Sequence, residues 1–180
     1  PGLETNGLFF LPPGQGPFPL VISQHGGLGT PEICSGLFDS ANYNDMSRRV
    51  LKLCNAVFAP QLLMWRDTFG PTFERSAINA RLRSTGGSLT ALELWQLQLC
   101  LDTLCAQPDV DAHRLGVVGL SFGGFYAQFL AAVDPRIRST LCSCMLYDQP
   151  RDGRSLETWD NAATMFGFAE VIGLIAPRAF

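Results

Sequence analysis

Histidine is scarce in this 180-residue chain, which has only His25 and His113. Its six cysteines, Cys34, Cys54, Cys100, Cys105, Cys142 and Cys144, include no Cys-x-x-Cys pair. A structural zinc site draws on closely spaced Cys and His ligands, so no metal site is expected. The 13 basic residues are nearly all arginine and scattered, against 16 acidic ones, for a net charge of −3. Without a basic cluster there is no footprint for nucleic acid or an anionic membrane surface. Long apolar runs are also missing. The longest are strand-sized and broken by Gly, Pro or charge, so no bilayer span is expected. No signal-peptide pattern, repeat, low-complexity tract or linker is visible. What remains is 47% hydrophobic residues in a chain of single-domain length, enough for a sizeable core. The cysteines read as buried free thiols of a reducing compartment, which favours the cytoplasm. None has the electropositive setting of a nucleophile.

The most informative stretch is Gly119-Leu120-Ser121-Phe122-Gly123. Before it, Leu115 to Leu120 is apolar and β-prone, as a buried strand would be. After it, Gly124 to Val133 has helical length and an apolar stripe at Phe125, Phe129, Ala132 and Val133. Strand, Gly-x-Ser-x-Gly, helix is the order of a nucleophile elbow. The glycines are expected because a side chain at either position would collide with the neighbouring strand or helix. Ser121 is then expected in a strained conformation at a helix N-terminus, where backbone N–H groups favour developing negative charge.

A second motif agrees. Pro19 to Gln24 reads as another buried strand and runs into His25-Gly26-Gly27-Leu28-Gly29-Thr30. Ligands of an open α/β sheet bind at the carboxyl ends of its strands, which places this loop and Ser121 on one edge. The N–H of Gly26 or Gly27, paired with that of Phe122, is expected to form an oxyanion hole.

Along the rest of the chain, Leu8–Leu11 and Ala56–Pro60 read as strands and Asn44–Leu53 as a helix with Met46, Val50 and Leu53 inward. Trp65 to Gly87 reads as a long irregular excursion. Leu89–Cys105 is the clearest helix, periodic through Leu92, Trp95, Leu99 and Leu101, and Arg138–Leu146 is a strand. Alternating strands and helices predict a three-layered α/β fold with a mostly parallel sheet.

With these motifs the chain resembles the dienelactone hydrolase/acetyl xylan esterase-like branch of the α/β-hydrolase superfamily. The similarity runs through Pro19–Gly29, Leu92-Glu93-Leu94-Trp95, Asp111–Gly116 leading into the elbow, and Ala169–Arg178. The resemblance implies a triad in the order Ser, Asp/Glu, His. It places the acid on a strand beginning near Phe180 and the histidine on a later loop. No histidine follows Ser121, and the chain begins with Pro1, not Met. Residues 1–180 are therefore expected to be one partial α/β-hydrolase domain, inactive and poorly soluble alone, with the Arg138–Leu146 strand as an open edge.

Several residues compete for roles beside Ser121. His25 lies near the chemistry but precedes the serine, and the resemblance makes it an orienting residue of the oxyanion loop. His113 stands before the elbow strand, about 20 Å from Ser121 at ~3.3 Å per residue, and is not the base. Asp148, after the strand that follows the elbow helix, is a candidate acid or pocket-wall residue. Tyr147, Trp159, Phe166 and Phe168 line an acyl or alcohol pocket or pack an insertion on the core. Trp65 and Arg66 follow the third strand; Arg66 either binds a substrate carboxylate or is a solvated arginine. The leading expectation is a carboxylic-ester hydrolase acting on a small-molecule ester and needing no cofactor or metal. A prolyl-oligopeptidase-type peptidase and a non-catalytic scaffold of the same fold are the alternatives. The sequence carries no signal for an oligomeric state.

Overall fold

The computed structural model describes residues 3–39, 42–66, 70–71, 73–146 and 162–180. Its frame is a five-stranded sheet in the order β1-β3-β2-β6-β7, where β1 is Gly7–Phe10, β2 Phe18–Gln24, β3 Ala56–Pro60, β6 Val110–Leu120 and β7 Ile137–Ser143. Only β1 runs antiparallel, against β3. A small hairpin, β4 (Trp65–Arg66) with β5 (Gly70–Pro71), stands apart from the sheet. This is the expected α/β fold with a mostly parallel sheet.

The helices are α1 (Pro31–Cys34), α2 (Met46–Lys52), α3 (Phe73–Ser84), α4 (Leu89–Cys105), α5 (Phe122–Val133), α6 (Ala162–Met165) and α7 (Phe168–Gly173). Successive strand residues face opposite sides of a sheet. Leu20, Ile22, Phe58 and Val117 therefore join α4 and α5 in one buried core. Val21 turns to the other side, where α2 lies against β2 and β3. A buried Ser23–Ser47 hydroxyl pair at 2.8 Å ties α2 to β2.

Strand order fixes where a site can form. From β2 the chain crosses to β3 on one side, whereas from β6 it crosses to β7 on the other. β2 and β6 are direct parallel neighbours, with Gln24 opposite Gly119. Connections that diverge from adjacent parallel strands leave a crevice at their carboxyl ends. The loop after Gln24 and the turn after Leu120 both open into it.

Three expectations change. The described residues of 65–87 include the hairpin and α3, where an irregular excursion was expected. That helix escaped detection because Phe73–Ser84 has no apolar stripe; polar side chains dock it instead. Arg75 is fully buried, and Asn79 Oδ1 accepts the Leu89 N–H at 2.9 Å. In α4, Trp95 and Leu99 are exposed, and Leu94, Leu97 and Leu101 face the core. Leucines on every side of that helix gave no single stripe. The buried Glu93 marks the inner face because it has a cation to meet. Finally, β7 ends at Ser143, short of the expected Leu146, and Cys144 follows at φ 60° and is exposed. The β7 edge is partly paired, through Ala179 N–H to Arg138 O at 3.2 Å and Thr140 N–H to Ala179 O at 2.9 Å. The outward turn of Leu53 and Val133 is a smaller departure. All six cysteines are free, but only Cys34 is fully buried.

A buried ion pair joins three helices to the chain just after β3. Arg75 Nη1 donates to Glu93 Oε1 and to Leu63 O, each at 2.6 Å, and Nη2 donates to Glu93 Oε2 at 2.9 Å. The Leu63 N–H donates to Glu93 Oε1 at 2.7 Å, and the Tyr126 hydroxyl donates to Glu93 Oε2. Removing one partner of such a pair leaves a desolvated charge and costs roughly 3–5 kcal/mol. Glu93→Gln is expected to lower unfolding stability by about that much in urea titrations, and Glu93→Leu with Arg75→Met by clearly less.

Candidate active site

The turn at Ser121 owes its shape to missing side chains. A Cβ on Gly119 would overlap the Gly123 carbonyl, and one on Gly123 would overlap Gln24 O. A Cβ on Gly26 would come within 2.6 Å of Gly123 N and 2.9 Å of Phe122 N. Three glycines thus let the β2 loop, the end of β6 and the start of α5 meet backbone to backbone. Ser121 between them has φ 56° and ψ −123°, a region L-residues rarely occupy, at a cost of roughly 1–3 kcal/mol. Its N–H donates to Ser143 O at 2.7 Å and its carbonyl accepts from Phe125 N at 3.1 Å. The side chain is exposed, caps nothing, and meets no hydrogen-bond partner among the described residues. Phe122 opens α5, so its N–H is one of the donors without an intrahelical acceptor.

The glycine-rich loop departs from expectation in one respect. The Gly26 N–H is already used, donating to the Tyr43 hydroxyl at 2.8 Å. Gly26 therefore serves by its lack of a side chain and not as an oxyanion donor. The Gly27 N–H meets no acceptor among the described residues, and Gly27 is half-buried. Of the two glycines expected to donate, Gly27 is the one free to do so.

His25 is wholly buried between β2 and the chain after β3. Its Nε2 accepts the Leu62 N–H at 3.0 Å, which leaves the ring proton on Nδ1, 3.3 Å from Gly26 O. Burial pushes its pKa down to about 4; the Gly26 contact opposes that, while the nearby Arg75 cation adds to it. With its only lone pair occupied, the neutral ring has none to offer Ser121. The ring braces the Gly26 carbonyl against the Leu62 N–H. His113 is exposed in the amino-terminal half of β6, remote from the crevice.

Trp65, expected as a pocket residue, belongs to an aromatic layer beneath the serine. It stacks on Phe122 at 5.6 Å, meets the His25 ring edge-on at 5.6 Å, and has the Arg75 guanidinium 5.3 Å from its ring centre. Phe122 continues the stack onto Phe125. Phe168 packs in the core on Phe129 and Phe125, and Phe166 is partly buried against Phe129. The Arg66 side chain, and Tyr147, Asp148 and Trp159 entirely, lie outside the described residues. Among the described residues no three His, Cys, Asp or Glu side chains converge as a metal site would require. Among them, too, no helix is long and apolar enough to cross a membrane.

Sequence reasoning missed Tyr43 and Arg75. Each sits in a polar segment without periodicity, and each acts on residues at least 12 positions away. The buried imidazole has a thermodynamic consequence. Between pH 6.5 and 4 the unfolded chain binds a proton at His25 that the folded protein refuses, so stability falls as pH falls through that window. The loss is up to about 3 kcal/mol. Acid titration of thermal stability should show this slope, flattened in His25→Asn. Because glycine relieves the backbone strain, Ser121→Gly should be more stable than Ser121→Ala by about 1 kcal/mol.

No protein-family model matches the chain. A protein of Bacillus subtilis (strain 168) called "Putative hydrolase YtaP" is 28% identical over 192 aligned positions, covering 98% of this chain and 63% of that protein. Among solved structures, a "putative acetyl xylan esterase" from Bacteroides fragilis superposes with a TM-score of 0.74 at 17% identity, over 96% of this chain and 53% of its own. A glucuronoyl esterase from Caldicellulosiruptor kristjansonii gives 0.61 at 19% identity, over 96% and 55%. The chain thus spans less than two thirds of each of these proteins. A sheet with one antiparallel edge, a strained serine between β6 and α5, and these superpositions agree that the chain has the α/β-hydrolase fold.

Proposed function

We infer that this is a serine hydrolase of carboxylic esters. The observation that carries the reading is the backbone of Ser121, held at φ 56° with its side chain exposed at the amino-terminal end of α5. Such strain persists only where surrounding structure enforces it, and here three glycine contacts do so. The esterase names among the superposed structures support the choice of ester over peptide.

In this reading Ser121 Oγ attacks the ester carbonyl carbon while a histidine accepts its proton. The carbonyl oxygen becomes an oxyanion, stabilised by the N–H groups of Gly27 and Phe122 at the positive end of α5. Collapse expels the alcohol, which takes the proton from the histidine and leaves an acyl group on Ser121. Water then attacks the acyl carbon, gives its proton to the same histidine, and releases the carboxylic acid with Ser121 restored. His25 and His113 are both unsuited to that proton, so neither is assigned as the base. Asp148, by its place after β7, remains a candidate for the acid that orients it.

The test uses the natural full-length protein. Short-chain aryl esters should be hydrolysed, a serine-directed phosphonate should label Ser121, and Ser121→Ala should lower kcat/KM by roughly three or more orders of magnitude. Unchanged turnover in that variant would overturn the serine mechanism. A protein that neither turns over esters nor takes the label would be a scaffold.

A further inference from the structure

The oxyanion loop contains three successive peptides whose orientations are all determined, and one side chain determines two of them. In the first, between His25 and Gly26, the Gly26 N–H donates to Tyr43 Oη at 2.8 Å. In the third, between Gly27 and Leu28, the Gly27 carbonyl accepts from the same hydroxyl at 2.7 Å. The middle peptide has its Gly26 carbonyl bonded by the Gly29 N–H at 3.2 Å and by His25 Nδ1 at 3.3 Å. In a trans peptide the N–H points opposite to the C=O, so the Gly27 N–H is turned away from these partners.

We propose that Tyr43 is the positioning residue of the oxyanion hole: its hydroxyl grips the peptides on both sides of the one that presents the Gly27 N–H. This rests on the serine-hydrolase reading above. Gly27 has open space where a side chain would be, so sterics do not hold it. Glycine rotates through φ values closed to other residues, so a His-Gly-Gly loop left to itself would sample many orientations. A donor misplaced by about 1 Å forfeits much of its effect on a developing oxyanion.

Tyr43 itself is well fixed. It is 3% exposed, and its carbonyl accepts the N–H of Met46, the first residue of α2. That helix is tied to β2 through Ser47 and Ser23. Burial pushes the Tyr43 pKa up to about 12, so the hydroxyl keeps the proton it donates to Gly27 across the working pH range. The fit is tight around the ring: a Cβ on Gly29 would come within 2.5 Å of Tyr43 Cζ. Tyr43 reaches no reacting atom. It acts through the loop.

The experiment compares wild type, Tyr43→Phe and Gly29→Ala in the natural full-length protein, with an aryl ester as substrate and a trifluoromethyl ketone as probe of the tetrahedral adduct. Tyr43→Phe removes the hydroxyl and keeps the ring. It should lower kcat roughly 10- to 100-fold with KM changed less than about threefold, and raise the ketone Ki by the same factor as kcat falls. Gly29→Ala displaces the ring by another route and should shift the same three quantities in the same directions. If Tyr43→Phe does not fold, Gly29→Ala decides by these criteria. A folded variant with unchanged kcat, or with KM altered alone, overturns the proposal. Phosphonate labelling of wild-type Ser121 separates the two ideas: labelled wild type with an unaffected Tyr43→Phe rejects the clamp only, whereas unlabelled wild type rejects the serine reading.

Discussion

Everything at this crevice depends on backbone packed against backbone where no Cβ can fit. Gly119, Gly123 and Gly26 come from three different segments, and each occupies space a methyl group would need. Their approach brings the end of β2 against the start of α5, with Ser121 squeezed into a conformation it would not adopt alone. Repulsion at these positions is steep, so the geometry has little freedom to relax. The same contacts that strain the serine also set the Gly27 loop beside the α5 terminus. Strain and juxtaposition are one feature.

Beneath this layer lies a polar foundation. Arg75 spans from the Leu63 carbonyl to Glu93 and Tyr126 while its guanidinium lies over Trp65. Trp65 in turn stacks on Phe122, the residue following the serine. A buried ion pair adds little net stability compared with a hydrophobic substitute, but it accepts only one arrangement of its partners. Here it sets α3, α4 and α5 relative to the aromatic stack under the site. His25 does the same for the two loops above, with a neutral ring that both donates and accepts.

Legibility in the sequence followed the type of force. Where hydrophobic patterning decides, as in β3 and α4, the expected and observed boundaries coincide. The elbow was legible because glycine spacing encodes steric contact directly. α3 was hidden because its docking depends on Arg75 and Asn79, whose buried roles need partners distant in sequence. The inward face of α4 was misjudged for a related reason: Glu93 is core only because Arg75 reaches it. Local sequence leaves Gly26 and Gly27 as alternative donors, because nothing local reveals that Tyr43, 17 residues on from Gly26, takes its N–H. Patterning found the elements, and long-range polar contacts assigned their faces.

The pairing of β2 with β6 joins segments nearly a hundred residues apart, Gln24 with Gly119 among them. Contacts of such sequence separation form late, because loop closure must be completed before they return any energy. Neither half of the crevice has its geometry until that pairing exists, and Ser121 has no local reason to hold φ 56°. A chain in which β2 and β6 have parted would return the serine to ordinary dihedrals. The strained geometry of this residue is therefore coupled to the cooperative integrity of the central sheet, and a partly unfolded molecule would not keep it.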